Sequence, residues 1–437
     1  MIFGLFGGGG GNKKTASREE DDDEIEPIRF LGSLSGKQAN LAANQRLADV
    51  GLVPAKELVT DALSRRAELI RLEPKGPAYV INFAVDGIAY PGPRMQKIEA
   101  VAVTQILKLL AGLDIKDRKG PQSGGVKGEF DGKQYHVMVH AVGVPDGERL
   151  TLKVLDPNAK LETPSEIGMS DDLRKKLREL CGQKPGALMV CGAPSTGTST
   201  TLFGAVRGLD SYILSIFTFC DISGRKLVNI TPFEAIAGDD LAKTITRCQR
   251  VEGDVLVLDP VKDQETAKVF FTGAEELLLV AEAPGKDAVS GVAQMVQWVG
   301  AEAVATSLKG MLSQRLIRVL CKDCKQAYKP NPDFLKKAGL PSTITNLYRK
   351  PAGGDDNPNV DVCDNCGGVG FKGRTGMFEF LEMSEAMKET IKGGGDVNAI
   401  RATMRAEKML TLQQDALRLV AEGKTSLDEV QRIFKSA

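Results

Sequence analysis

The apolar positions along the chain change period several times, and each change marks a boundary. Residues 28–66 carry apolar side chains at helical spacing, with Leu41, Leu47, Val50, Leu58 and Leu63 expected to face inward. The period then shortens: 68–73, 79–85, 128–142 and 150–155 read as strands. Between them 96–113 returns to helical spacing through Ile98, Val101, Ile106 and Leu110. These elements predict an α+β domain over 67–157 that contains a polar loop over 116–125. Pro157, Pro164 and Gly168 then punctuate a polar stretch, which makes 158–170 the expected linker.

In the second half, strands and helices alternate. A helix is expected over 171–181 with Ser170 as its N-cap, followed by the apolar run 187–191, a glycine-rich loop and a helix over 199–206. Residues 255–258 and 277–281 read as further buried strands, with helices over 241–250 and 264–271 between them. That alternation predicts a parallel, doubly wound sheet within a domain over 171–437. Beyond residue 316 the character changes to a CxxC pair, a Pro/Gly/Asp/Asn-rich middle and a second CxxC pair, then amphipathic helices over 385–437. At the other end, residues 1–27 join the apolar Phe3, Leu5 and Phe6 to a glycine run and the acidic stretch 19–24. Such a segment has little to bury and reads as a flexible tail, with docking to a membrane partner as the sharper alternative.

Composition narrows the function classes. Lys+Arg and Asp+Glu both number 57, so no net charge draws the chain to nucleic acid or to a membrane surface, and aromatics at 5% offer few stacking platforms. No apolar run reaches the roughly 18 residues of a membrane span and no cleavable signal pattern opens the chain, so the expected location is cytoplasmic. Histidine is confined to His136 and His140. In a strand that spacing places both on one face, and without further ligands they read as a surface pair.

Cysteine carries the strongest chemical signal. Cys321, Cys324, Cys363 and Cys366 form two CxxC knuckles, the donor set of a closed, tetrahedral, structural Zn²⁺ site. The remaining Cys181, Cys191, Cys220 and Cys248 are scattered, a usage that suits a reducing compartment rather than a disulfide scaffold. The stretch 190–206, VCGAPSTGTSTTLFGAV, matches the phosphate-binding pattern GxxxxGK[ST] at Gly192, Gly197 and Ser199, but Thr198 stands where the lysine belongs. With Thr200 these are the candidate nucleotide-binding residues. A neutral hydroxyl in place of an ammonium forfeits a contact worth roughly 4 kcal/mol at an effective dielectric of about 20, and Pro194 removes one backbone donor. Asp259, after the apolar run 255–258, is a candidate Mg²⁺-associated acid, with a turn or N-cap before Pro260 weighed equally against it. Asp263 and Glu265 fall where a following helix favours acids through its dipole.

With these residues in view, the chain from about 68 to 434 resembles the ATPases of type II secretion and type IV pilus assembly, the GspE and PilB kind. LLAGLDIKDRKGPQSGGV (109–126) is similar to the family's LAGLDIAERRLPQDGR, and DGERLTLKVLD (146–156) to its GERVVLRLLD. SQRLIRVLCKDCKQAY (313–328) and CDNCGGVGFKGRTGMFEFLEMSE (363–385) resemble its zinc region, and AEGKTSLDEVQRI (421–433) its GITTLEEVLRV. The resemblance implies a P-loop (RecA-like) α/β ATPase domain with an N-terminal α+β (PAS-like) domain. It also implies an inserted zinc module over 318–376, ATP with Mg²⁺ as ligand, a homo- or hetero-oligomeric ring, and inner-membrane platform proteins as partners. A zinc-ribbon nucleic-acid binder is disfavoured, and no nucleic acid is expected, because no basic stripe surrounds the cysteines.

The departures cluster at chemistry. The family's TIEDPVE appears as TFCDISG (218–224), with Cys220 and Gly224 in place of carboxylates. Its MVGEIRDxETA appears as VLDPVKDQETA (257–267), with Pro260 at the glutamate, and its TGHLVLSTLHTNDA as TGAEELLLVAEAPGKDA (272–288), with both histidines gone. Asn82, Ala84 and Met138 replace arginines that reach a neighbouring subunit's nucleotide, whereas Arg374 is kept. Because phosphoryl transfer rests on electrostatic positioning, with single clamps worth about 10³ to 10⁵ in rate, the expectation is a pseudo-ATPase: a ring scaffold or regulator with little or no hydrolysis. The alternative is an atypical motor in which Lys226, Lys262 or Lys286 supplies the missing charge.

Overall fold

Two Asp-Gly turns organise the first half of the chain. Asp86-Gly87 and Asp131-Gly132 all take positive φ, which a two-residue hairpin requires. They fold Ala78–Val85 onto Ile88–Gln96 and Gln122–Phe130 onto Lys133–Val144. The single strand expected over 128–142 is therefore parts of two, and the polar loop expected to run to residue 125 ends at a strand beginning at Gln122. With Arg29–Ser33, Leu69–Lys75 and Gly147–Leu155 these strands form a seven-stranded antiparallel sheet. Ile88–Gln96, at one edge, carries Pro91 and Pro93, which blunt that edge against further pairing.

The computed structural model describes residues 26–158, 163–220, 222, 227–351 and 363–435. The chain divides into two compact units, Met1–Pro157 and Asn158–Ala437. Nearly all of the expected tail, together with Asp221, Gly224 and Lys226, lies outside the described residues.

In the first unit, two helices cover one face of the sheet, and the sequence reading needs correction at both. Residues 28–66 are not helical throughout: Arg29–Ser33 is an edge strand and the helix is Gln45–Ser64. Ile28 and Phe30, two apart, both turn toward the core, a strand period too brief to emerge from a long helical window. Leu58 and Leu63 are buried as expected and Leu41 and Leu47 pack against the core, but Val50 is exposed. The second helix is Lys97–Leu110; its inward stripe is Val103, Ile106, Leu107 and Leu110, and Ile98 is 82% exposed in the first turn. Gly51 lets the helices touch, since a Cβ there would stand 2.6 Å from the Ala102 carbonyl oxygen. Within this core lies one ion pair: Lys108 Nζ sits 2.6 Å from Glu148 Oε1 and donates to the Asp117 carbonyl, while the Gln105 amide donates to Glu148.

The second unit is built on a seven-stranded sheet. In order it holds Thr231–Pro232, Ile216–Phe219, Val255–Leu258, Leu278–Ala283, Gly186–Cys191, Leu308–Leu320 and Phe371–Glu382. All neighbours are parallel except the last pair. The strands are apolar on both faces because both are covered: Ala187, Met189 and Cys191 join one core, and Leu188 and Val190 the other. Several of the helices begin at side-chain caps. Ser170 accepts from Leu173 N at the head of Asp171–Gly182, Asp240 caps Leu241–Arg250, and Asp263 caps Gln264–Gly273.

The outer strand, Phe371–Glu382, is covered along its edge. Its N–H groups at Gly376, Phe378 and Phe380 donate to the Ile167 carbonyl, the Asp415 carboxylate and the Leu410 carbonyl. Asp415 belongs to the C-terminal helix Leu412–Ala421, one of four after residue 384 with Glu385–Lys392, Val397–Ala406 and Leu427–Lys435. Glu429 on the last of these binds Arg318 Nη2 at 2.6 Å and Arg432 Nη2 at 2.7 Å, which fastens the helix to Leu308–Leu320.

Candidate functional site

Gly186–Cys191 lies near the middle of the sheet, and its C-terminal end runs into the loop 192–197 and the helix Thr198–Arg207. This is the strand, loop and helix that a phosphate-binding loop requires. Gly197 has φ +92°, a left-handed geometry that makes glycine the natural residue at the helix entrance. Ser195 also takes positive φ. The loop is braced from behind by the buried Gln314, whose amide donates to the Thr196 carbonyl, while Thr196 Oγ1 donates to the Ala193 carbonyl at 2.7 Å.

Thr198 opens the helix. Its hydroxyl donates to Glu282 Oε2 at 2.8 Å, so the lysine position is tied to a carboxylate from the adjacent strand Leu278–Ala283. Glu282 pairs with Val190 in register, and its carbonyl accepts from Val261 N at 2.9 Å. Sequence reasoning had no hold on Glu282. The signal available was its isolation, as the sole charge in the apolar strand LLVAEA. Ser199 is exposed and Thr200 half-buried beside it.

Other predicted residues lie along the same C-terminal edge of the sheet. Asp259 is exposed at the end of Val255–Leu258, and the helix that follows is capped by Asp263 and not by Asp259. Cys220 follows Ile216–Phe219, whose Thr218 Oγ1 is buried without a hydrogen-bond partner among the described residues. Lys262 and Lys286 are both exposed. Asp287 caps Ala288–Val299 and pairs with Arg401 at 2.9 Å. Burial would raise its carboxyl, but the Ser290 donors and the Arg401 guanidinium outweigh burial and hold it below the usual carboxylate range. Glu379 accepts from Ala288 N at 2.9 Å, and burial pushes its carboxyl up. Burial also pushes the Cys191 thiol up to about 12, so it stays protonated and donates to the Asp287 carbonyl.

In the first unit Asn82, Ala84 and Met138 lie on the sheet face turned from the core. Arg71 stands opposite Asn82, and Lys153 opposite Met138, so that face keeps two cations one strand away from the substituted positions. His136 and His140 share the same face, and His140 Nδ1 lies 2.7 Å from Ser123 Oγ.

A second constellation lies at the far end of the hairpin formed by Leu308–Leu320 and Phe371–Glu382. Leu320 is paired with Phe371, and the cysteine knuckles follow one strand and precede the other. The Sγ atoms of Cys321, Cys324, Cys363 and Cys366 all lie within 4.8 Å of one another, with Cys321 and Cys363 at 3.8 Å and Cys324 and Cys366 at 3.6 Å. Tetrahedral Zn²⁺ with Zn–S of about 2.3 Å needs sulfur separations of about 3.8 Å, so four thiolates in this arrangement fit the ion. Two donors also reach the sulfurs: Gly370 N donates to Cys366 Sγ at 3.3 Å and Asn365 Nδ2 lies 3.5 Å from Cys321 Sγ.

Comparison with known proteins agrees with this geometry. Residues 49–432 match the family described as "Type II/IV secretion system protein". The chain is 30% identical over 382 residues to the type II secretion system protein E of Dickeya dadantii, covering 86% of this chain and 74% of that relative. It is 25% identical over 380 residues to the type IV pilus assembly ATPase PilB of Thermus thermophilus, where 86% of this chain covers 42% of the relative. Among solved structures, the ATPase DotB of Legionella pneumophila aligns at a TM-score of 0.57 and 13% identity, over 89% of this chain and 96% of that one. The pilus retraction motor PilT aligns at 0.51 and 17%, over 86% and 95%. At those identities the likeness concerns the fold, which is the α/β P-loop architecture expected from the sequence. No helix among the described residues is long and apolar enough to cross a membrane. From the sheet order, the strand-loop-helix at its centre, the cysteine cluster and a match over most of its length, this chain belongs to the type II/IV secretion system protein family.

Proposed function

We propose that this chain is a cytoplasmic component of a type II secretion or type IV pilus assembly machine that has lost ATP hydrolysis and acts as a ring scaffold or regulator. The observation that carries the reading is Thr198: the strand, loop and helix of the phosphate site are built, yet the lysine position holds a short neutral side chain already engaged by Glu282. Phosphoryl transfer has little covalent chemistry for a protein to perform, and its rate comes from positive charge placed against the phosphates. In this reading the sheet and the zinc-clipped hairpin maintain subunit interfaces of a homo- or hetero-oligomeric ring, and inner-membrane platform proteins are its partners. Zn²⁺, held by Cys321, Cys324, Cys363 and Cys366, supplies structure and no reaction step. Backbone N–H groups and a helix N-terminus attract phosphate on their own, so any residual site for Mg-ATP comprises Gly192, Gly197, Thr198, Ser199 and Thr200, with Asp259 toward the metal.

The competing reading, an active but atypical motor, draws support from Lys262 and Lys286, both exposed in loops that follow sheet strands toward this edge. Steady-state turnover of Mg-ATP by the purified chain separates the two. The expected rate equals that of a protein-free blank; turnover that disappears in Lys262→Ala or Lys286→Ala would establish the motor and remove the scaffold.

A further inference from the structure

Replacing lysine by threonine removes an attraction but does not by itself forbid a phosphate, because the loop keeps its remaining backbone donors and its helix N-terminus. The sheet contributes something more. Glu282 lies on a strand whose other residues are apolar and buried, held in register with Val190 on one side and by the Val261 N–H on the other. Its carboxylate is therefore carried by an interior strand paired on both sides, and it reaches the first residue of the helix, Thr198, at 2.8 Å. A negative charge at a helix N-terminus is itself stabilised by the helix dipole. The carboxylate thus sets a negative charge beside the helix entrance that a phosphate group would have to approach.

Resting on the silent-site reading above, we propose that Glu282 is an exclusion residue: a built-in anion that keeps polyphosphate out of this loop. Two consequences follow from the geometry. Restoring lysine alone does not restore binding, since the new ammonium at position 198 would pair with Glu282 on the neighbouring strand. Removing the charge alone leaves the loop without its cation. Recovery of phosphate binding therefore needs both changes, and their effects are coupled.

The test is a double-mutant cycle in the full-length chain with Thr198→Lys, Glu282→Gln and the pair, titrated with inorganic tripolyphosphate and with Mg-ATP. Glu282→Gln keeps an oxygen to accept the Thr198 hydroxyl, so it removes charge while retaining the contact. The expected result is that affinity in the double variant exceeds the product of the two single gains by about tenfold, the size of coupling seen between contacting charged groups. A thermal melt and the zinc content of each variant verify folding, and Glu282→Thr replaces Glu282→Gln if the latter unfolds. Thr198→Lys binding tripolyphosphate as tightly as the double variant overturns the inference, as does a folded double variant that binds none. Neither of those outcomes bears on hydrolysis by the unaltered chain, whose turnover decides the silent-site reading separately.

Discussion

At the scale of single residues, the second unit depends on a few remote carboxylates that are almost fully enclosed. Glu429 has no exposed side-chain surface and holds both Arg318 and Arg432. Burial would raise its carboxyl, but the guanidinium donors of Arg432 and Arg318 outweigh burial and hold it below the ordinary range. A carboxyl depressed in the folded state stabilises above its unfolded pKa of about 4.3, and that contribution is lost as pH falls through the folded value. Glu429→Gln is therefore expected to cost about 3 kcal/mol at neutral pH, because it takes the anion from the largely buried Arg318 guanidinium. Denaturant unfolding from pH 7 to pH 3 checks both statements: the unaltered chain loses stability toward acid, and the variant shows a flatter slope.

At the scale of elements, the feature with the longest reach is the hairpin of Leu308–Leu320 and Phe371–Glu382. Its inner half completes the sheet beside the phosphate loop, its outer edge is satisfied by Ile167, Leu410 and Asp415, and its far end carries the cysteine cluster. Metal bound there would close a long excursion between the two knuckles. The purified chain is expected to hold one Zn²⁺ by metal analysis. Cys363→Ser or strong chelation is expected to cost roughly 3 to 4 kcal/mol, the order of loop-closure entropy for such a length. A melt monitored with and without chelator decides this, and no change in midpoint would mean the cluster works without metal. The cysteine spacing made this site legible in advance. The hairpin that bears it was not, because the two strands are separated by a long segment of loop composition, so no tight turn links them.

At the scale of the whole molecule, apolar contacts fall into separate cores. The first unit has one built from the two helices and the antiparallel sheet; the second has cores on both sheet faces and another beneath the C-terminal helices. Units with their own cores unfold as separate cooperative blocks. Calorimetry of the full chain is expected to show two transitions, with Glu429→Gln and chelation moving one and leaving the other in place. A single transition shifted by either change would show the blocks to be coupled.

The sequence by itself determined the parts whose evidence is local. Apolar runs at 187–191 and 255–258 predicted buried strands, Ser170 predicted a helix start, the glycines at 192 and 197 predicted the loop between strand and helix, and CxxC spacing predicted the cysteine cluster; each signal is carried by residues within a few positions of one another. Local evidence went unused at Asp131-Gly132, where the turn lies inside an alternating stretch, and at Ile28 and Phe30, whose short alternation was absorbed into a helical window. Tertiary structure alone decided which residues meet. Lys108 finds Glu148, Phe378 finds Asp415, and Thr198 finds Glu282 across a separation of 84 positions. Parallel strands require crossover connections, so neighbours at the sheet's edge are distant in the chain, and no periodicity or spacing records that the residue opposite the missing lysine is an acid.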